Sequence, residues 1–374
     1  MSTQQAFRNT LIVLGTIAGA YVLLMSARIV IVLLVAIIIA SAALPAVQWL
    51  RRRLKMSDAL SIILVYLAII VTVLVVLLLI VPPAVNNLAG YITNEDRLAT
   101  RLIVAQSWLE RNIENITNSD VELLPPDNIR TSVNQITDQL SESFPTLASE
   151  IGGLLGDLIL AVVMGIYWLT SRGQAVAFIQ SLFVLGRRAN VLAIFDEIEH
   201  SLGAYVRGVA LVVAFVSLAN GVLLFLFRVP NPVMLALIIG LTTALPIIGG
   251  FIGAGVAMLL ALLSSPLHAV LTLVSFVLVQ QVETHYLTPR TMARSVNVNP
   301  ILVIVVIFIG FSLSGVVGGL IAVPIAGTIM ILLRHLVIEP MRDDAAPTVV
   351  RGGVLLTTGT ENLDDVAETR IQTP

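Results

Sequence analysis

Hydrophobic residues in this chain come in long runs: residues 11–25, 29–50, 60–81, 151–170, 208–227, 233–263, 267–282 and 301–333. A helix crossing a hydrocarbon core about 30 Å thick needs about 20 mainly apolar residues. Six runs are near one such length or a little shorter. The other two, 233–263 and 301–333, reach about one and a half lengths by the same ruler, and each is interrupted near its middle by Gly, Pro, Ser or Thr. The pattern predicts an all-α polytopic membrane protein with about six full transmembrane helices and two re-entrant helical hairpins. Residues 11–25, with Arg8 ahead and Ser26-Ala27 behind, also have the outline of a signal peptide. Met25 fits the cleavage site poorly, so a helix is expected there.

The two overlong runs share landmarks. Asn231-Pro232 opens the first, which reaches Gly240, passes Thr242-Thr243-Ala244-Leu245-Pro246 and arrives at Gly249-Gly250. Asn299-Pro300 opens the second, which reaches Gly310, passes Ser312-Leu313-Ser314-Gly315 and arrives at Gly318-Gly319. Each follows an apolar run of ordinary length, so helix plus interrupted run repeats. Pro246, Gly249, Gly315, Gly318 and Pro324 are expected to shape the hairpins. The glycine pairs would equally suit close packing of kinked single helices. Charge favours hairpins. Arg51, Arg52, Arg53 and Lys55 follow the second run, and if they are cytoplasmic, both termini are cytoplasmic. Two hairpins that exit where they enter then keep Arg290 and Arg294 inside, whereas two single spans would put them outside. The two units become inverted copies. Inverted repeats with broken helices are a signature of secondary transporters, because helix ends at membrane depth present unpaired N–H and C=O groups.

This divides the chain into transmembrane helices within 1–85, a polar amphipathic helical insert at 86–150, a fourth span with a cytoplasmic amphipathic linker at 151–207, an inverted-repeat core at 208–338, and a polar tail at 339–374 expected to be disordered. Within the insert, a helix over 128–140 and a stop at Phe144-Pro145 are expected. Residues 190–205 predict an amphipathic helix along the membrane surface.

Composition agrees: 57% of 374 residues are hydrophobic and 12% charged, with a net charge of −2, against about a quarter charged in soluble chains. A nucleic-acid partner would need a clustered basic face, and none is visible. There is no cysteine, and Lys55 is the only lysine, so disulfides, thiolate chemistry and a phosphate-loop lysine are absent. The four histidines are scattered, without metal-ligand spacing, and no hydrolase motif is visible. An enzyme, a metal and a cofactor are not expected. The partners are the bilayer and a small polar solute, with H⁺ or Na⁺ as coupling ion. Ionisable groups at membrane depth are functional candidates. Glu283 is the first of them, able to load and release a proton or pair with Arg290 or Arg294. Gln281, Thr243 and Ser314 are further candidates for solute or ion contact. Gln280, Asn220, Thr242 and Ser312 are also polar at depth, while Asp157 and Arg207 read as interfacial charges.

Four stretches resemble the AI-2E family of autoinducer-2 exporter-like permeases. They are Tyr205-Val206-Arg207-Gly208, Leu245-Pro246-Ile247-Ile248-Gly249, Gln281-Val282-Glu283 with Leu287-Thr288-Pro289-Arg290, and Asn299-Pro300 through Gly315-Val316-Val317-Gly318-Gly319-Leu320-Ile321-Ala322-Val323-Pro324. The resemblance implies an exporter of the bacterial cytoplasmic membrane, a homo-oligomer of five copies, an elevator-like moving unit, and autoinducer-2 as the first solute to consider. It also brings in sodium–proton exchange, making a cation/proton antiporter using Glu283 the alternative. A scaffold acting through 86–150 is a third reading. Gly250, Thr243 and Thr284-His285 stand where many relatives have Pro, Asn and Gly-Asn, so the chain departs from the family pattern where solute would be read.

Overall fold

The computed structural model describes residues 14–16, 21, 25–92, 95–117, 125–184, 188–287, 300–339, 349–351 and 354–356. These form nine helices: α1 Ala27–Leu54, α2 Asp58–Ile92, α3 Glu95–Thr117, α4 Pro126–Ser181, α5 Arg188–Leu226, α6 Pro232–Thr242, α7 Gly249–Leu262, α8 Pro266–Val282 and α9 Pro300–Leu333. Two π-helical turns, Glu283–Leu287 and Arg334–Ile338, continue α8 and α9. Proline opens α4, α6, α8 and α9, where its missing N–H costs nothing and its fixed φ suits the first turn. Among the described residues six helical stretches are long and apolar enough to cross a membrane, one of them α9 with its break at Ser314-Gly315, and α6 and α7 are shorter apolar helices. The protein is an all-α polytopic membrane protein. Most of the expected span at 11–25 lies outside the described residues.

Two expectations are corrected. Phe144-Pro145 does not stop a helix: α4 runs 56 residues straight through it, about 84 Å of helix. An interior proline removes one hydrogen bond and bends the rod, and the flanking turns still hold. The insert and the fourth span are therefore one continuous element. Likewise α5 is 39 residues long, so residues 190–205 are the first half of a spanning helix and not a separate surface helix. No breaker stands between the halves, since Gly203 and Gly208 weaken a helix without ending it. Its acidic face meets protein. Arg172 of α4 pairs with Asp196 and Glu199 of α5, which lets Glu199 be buried. In the tail, Val349–Arg351 and Val354–Leu356 form a two-stranded antiparallel ribbon, so 339–374 is not wholly without regular structure.

Two bodies of core emerge. In the first, α1, α2 and α4 bury Ala43, Val47, Ile62, Val65, Tyr66 and Val162 together. Gly165 of α4 leaves no room for a Cβ beside the Tyr66 hydroxyl, and Arg28 holds Asp157 across the α1–α4 contact at 2.9 Å. In the second, α5 to α8 enclose Val216, Leu224, Leu235, Ile239, Ala257, Phe276 and Val279. At its centre the Ser275 hydroxyl donates to Asn220 Oδ1 at 2.9 Å and the Asn220 amide donates to the Val216 carbonyl. All these groups are fully buried and satisfied, as apolar surroundings require.

The bodies join where α5 crosses α1. Pro45 lacks the N–H that would bond the Ser41 carbonyl. Arg207 Nη1 turns to that oxygen at 3.4 Å and to the Ala42 oxygen at 3.5 Å. Gly203 makes the approach possible, because a Cβ there would collide with the Ser41 carbonyl. Arg207 is thus a half-buried structural donor between helices, where the sequence suggests an interfacial charge.

Candidate functional site

Both overlong runs fold back. The arms of the first are 11 and 14 residues long, about 17 and 21 Å, too short to cross a core about 30 Å thick. Between them the chain turns at residues 243–248. Thr242 and Thr243 donate their hydroxyl protons to carbonyls of Ile238 and Ile239, closing the end of α6. Ile247 takes φ = 72°, and α7 starts at Gly249, where a Cβ would collide with the Thr242 carbonyl. Gly253 packs as tightly against the Thr242 hydroxyl, with Ile239 Cα 2.9 Å from where its Cβ would be.

The second run, α9, breaks at Ser314 (φ −151°, ψ 30°) and Gly315 (φ 57°, ψ −143°), a conformation essentially reserved for glycine. Past the break, Gly318 returns against Gly310 so closely that a Cβ on either would collide with the other's carbonyl. Residues eight apart in a straight helix lie about 12 Å apart, so this contact demonstrates reversal. Pro324 is buried inside the second arm, ten residues past the turn, and bends that arm rather than making the tip. The two tips meet: a Cβ on Gly319 would sit 3.4 Å from Leu245 Cδ2.

Polar groups gather at the first tip. A Cβ placed on Gly250 would be 3.1 Å from Gln280 Oε1, 3.6 Å from Thr243 Oγ1 and 3.6 Å from the Phe276 ring. The bare Gly250 therefore borders a polar niche between the tip and α8. One turn along α8, on the face that carries Phe276, Val279 and Gln280, is Glu283. It is buried, and its Oε2 has no hydrogen-bond partner. Glu283 opens the π-helical turn, a widened turn frequent at functional positions. Gln281 is exposed and away from this niche. Helical spacing carries the signal, since positions 276, 280 and 283 share a face and 281 is rotated off it. Ser314 belongs to the second tip, half-buried, with its Cβ 3.1 Å from where a Cβ on Gly318 would be. Thr243 and Gln280 thus flank Gly250 at the first tip, Glu283 follows one turn further along the same helical face, and Ser314 stands at the second tip, while Leu245 reaches from the first tip to Gly319 of the second run. A separate cavity of about 490 Å³ between α5 and α6 offers one hydroxyl, Ser217, among apolar walls, which does not suit a polar solute. Among the described residues no three His, Cys, Asp or Glu come together to hold a metal.

The profile of the AI-2E family transporter matches residues 11–338. "Putative transport protein YueF" of Bacillus subtilis is 24% identical over 67% of this chain and 68% of its own length. "Putative transport protein MT0215" of Mycobacterium tuberculosis is 26% identical over 75% of each. "Putative transport protein YrrI" of Bacillus subtilis is 31% identical over 38% of this chain, a match spanning 40% of that relative. With nearly all its membrane-embedded length matched, the chain belongs to the AI-2E family of transporters.

Proposed function

We propose that this chain is a secondary-active transporter that exports a small polar solute, autoinducer-2-like molecules first among the solutes to test, from a site between the two hairpin tips. The observation that carries the reading is the approach of two broken helices, Leu245 against Gly319, with Gln280 at the first tip and, one turn further on the same helix, a buried carboxylate whose Oε2 has no partner. Backbone broken at membrane depth is tolerated only where it lines a cavity or is buried in protein. Thr243, Gln280, Glu283 and Ser314 supply solute or ion contacts. The α5–α8 core and the α1–α2–α4 core are distinct clusters, and an elevator-like movement would carry one against the other across the α1–α5 contact. In the accompanying topology the units are inverted, both termini are cytoplasmic and the membrane is the bacterial inner membrane. Arg290 and Arg294, on which the charge argument rests, lie outside the described residues. The assembly is a homo-oligomer. The test is uptake into reconstituted vesicles across a panel of small polar solutes, with and without imposed proton and sodium gradients. One solute should move only with functional tips, and Gly318→Leu should stop it. A panel with no movement under any gradient contradicts the proposal.

A second reading is favoured by the unpartnered Glu283 oxygen: a cation/proton antiporter in which that carboxylate alternates between a proton and a cation. Glu283→Gln would then abolish sodium-driven proton flux without a solute present and leave the thermal unfolding unchanged. Persistence of that flux in the variant removes Glu283 from the mechanism.

A further inference from the structure

The last two turns of α1 present one outward face: Pro45, Gln48, Trp49, Arg52 and Arg53 recur at helical spacing and line a groove of about 470 Å³. Gln48, Trp49, Arg52 and Arg53 are all exposed, and the opposite face, with Ala43 and Val47, is packed into the α1–α2–α4 core. The polar chemistry of the groove is strongly one-sided. Two guanidiniums and an indole N–H can only donate hydrogen bonds, and the Gln48 amide adds two donors and the single side-chain acceptor. No carboxylate lines the groove, and among the described residues none pairs with Arg52 or Arg53. The neighbouring Asp58 is taken by Arg51 at 3.1 Å. Direction matters as well. The groove runs about 12 Å along the helix axis, with Pro45 at its bilayer end, Trp49 between, and the arginines at the water end. Indole rings settle at headgroup depth.

We infer that this groove binds the phosphodiester headgroup of an anionic phospholipid, with Arg52 and Arg53 on the phosphate oxygens, Trp49 and Gln48 at the glycerol level and the acyl chains running past Pro45. A phosphodiester offers only acceptors and a negative charge where the groove offers nearly only donors and two positive charges. The lipid's polarity runs the same way along the membrane normal. The inference rests on α1 being a span and is independent of what the protein transports.

The test uses the purified full chain in non-ionic detergent, titrated with short-chain phosphatidylglycerol and phosphatidylcholine and read by native mass spectrometry. Phosphatidylglycerol should bind and phosphatidylcholine should not compete. Arg52→Gln with Arg53→Gln should weaken phosphatidylglycerol about 30-fold, the combined effect of two basic residues at a membrane surface. Gln48→Glu, which leaves every arginine in place, should also abolish preference for the anionic lipid. Arg51→Gln with Lys55→Gln removes the same charge outside the groove and should leave binding largely intact. Equal weakening by both double variants would reduce the effect to diffuse charge and overturn the site. Inorganic phosphate displacing the lipid at equal concentration would make it a soluble-anion site and overturn the lipid assignment. Each variant's melting temperature in detergent reports its folding, and the Gln48→Glu arm decides the matter if the double arginine variant does not fold.

Discussion

The two hairpins solve the same problem of turning back inside a membrane with different materials. Both tips need a residue at positive φ. The second tip uses Gly315 at φ 57°, while the first uses Ile247 at φ 72°, a β-branched residue for which that region is strained. The surroundings explain how each is tolerated. In the first hairpin, α6 buries Met234, Leu235, Ala236, Ile239 and Gly240 and α7 buries Gly249, Gly250, Gly253, Ala254, Ala257 and Ala261, so the arms are clamped by α5 and α8 and hold a strained turn. In the second, the first arm of α9 has only Ile307 buried among its described residues, while Ile301, Leu302, Val305, Phe308, Ile309 and Leu313 are exposed. An arm with so little support could not hold a strained tip, and glycine removes the need. The repeat is therefore asymmetric in packing though similar in landmarks: one hairpin is enclosed by α5 and α8, the other is held chiefly by the Gly310–Gly318 contact and by α1 and α5.

Substitutions can break or sharpen that contrast. The largest effect is expected from Gly249→Val, whose side chain meets backbone of a clamped turn. It should cost more than about 4 kcal/mol, the range reserved for severe steric or cavity defects, and leave no monodisperse protein after extraction. Gly310→Ala forces the α9 arms apart at a backbone contact less tight than the one at Gly249, and the first arm has exposed surface into which to move. The expected cost is about 1–3 kcal/mol, as for overpacking that can relax, read as a lowered melting temperature with the α5–α8 core intact. Gly315→Ala meets open space, so its cost is the backbone alone, about 1–3 kcal/mol. If Gly315→Ala proved as harmful as Gly249→Val, the weak support of the second hairpin would be wrong. The smallest effect is Ile247→Gly. It relieves strain of order 1–3 kcal/mol but gives back about 0.5–1 kcal/mol to the freer unfolded chain, and its side chain is exposed. Net stabilisation near 1 kcal/mol is expected, and destabilisation would show that Ile247 is unstrained.

The sequence revealed the fold where the signal is local. Runs of about 20 apolar residues gave the spans, and Pro246, Gly249 and Gly315 fall at the two turns, where a helix breaker and residues without a side-chain clash suit a broken helix. It failed where tertiary support decides. Pro145 and Gly208 look like punctuation, yet α4 and α5 run through them, since neighbouring turns and the Arg172–Glu199 pairing outweigh one lost bond or one glycine. The candidate site was half legible. Thr243 stands at the first tip, but Gln280 rather than Gln281 accompanies it, a distinction of about 100° around α8, and Glu283 lies one turn along the face of Gln280. Leu245 meeting Gly319 and Arg207 serving the Ser41 carbonyl are contacts between distant segments that no local pattern announces.

The central claim is reversal of both runs inside the membrane. The chain has no cysteine, so spin labels can be placed in pairs on unmodified background, at Leu237 with Val256 and at Val306 with Ile325. Pulsed dipolar spectroscopy in nanodiscs should give both pairs as neighbouring helices, whose axes lie about 10 Å apart. A continuous helix would hold the same positions about 28 Å apart, and that distance in either pair would contradict the account.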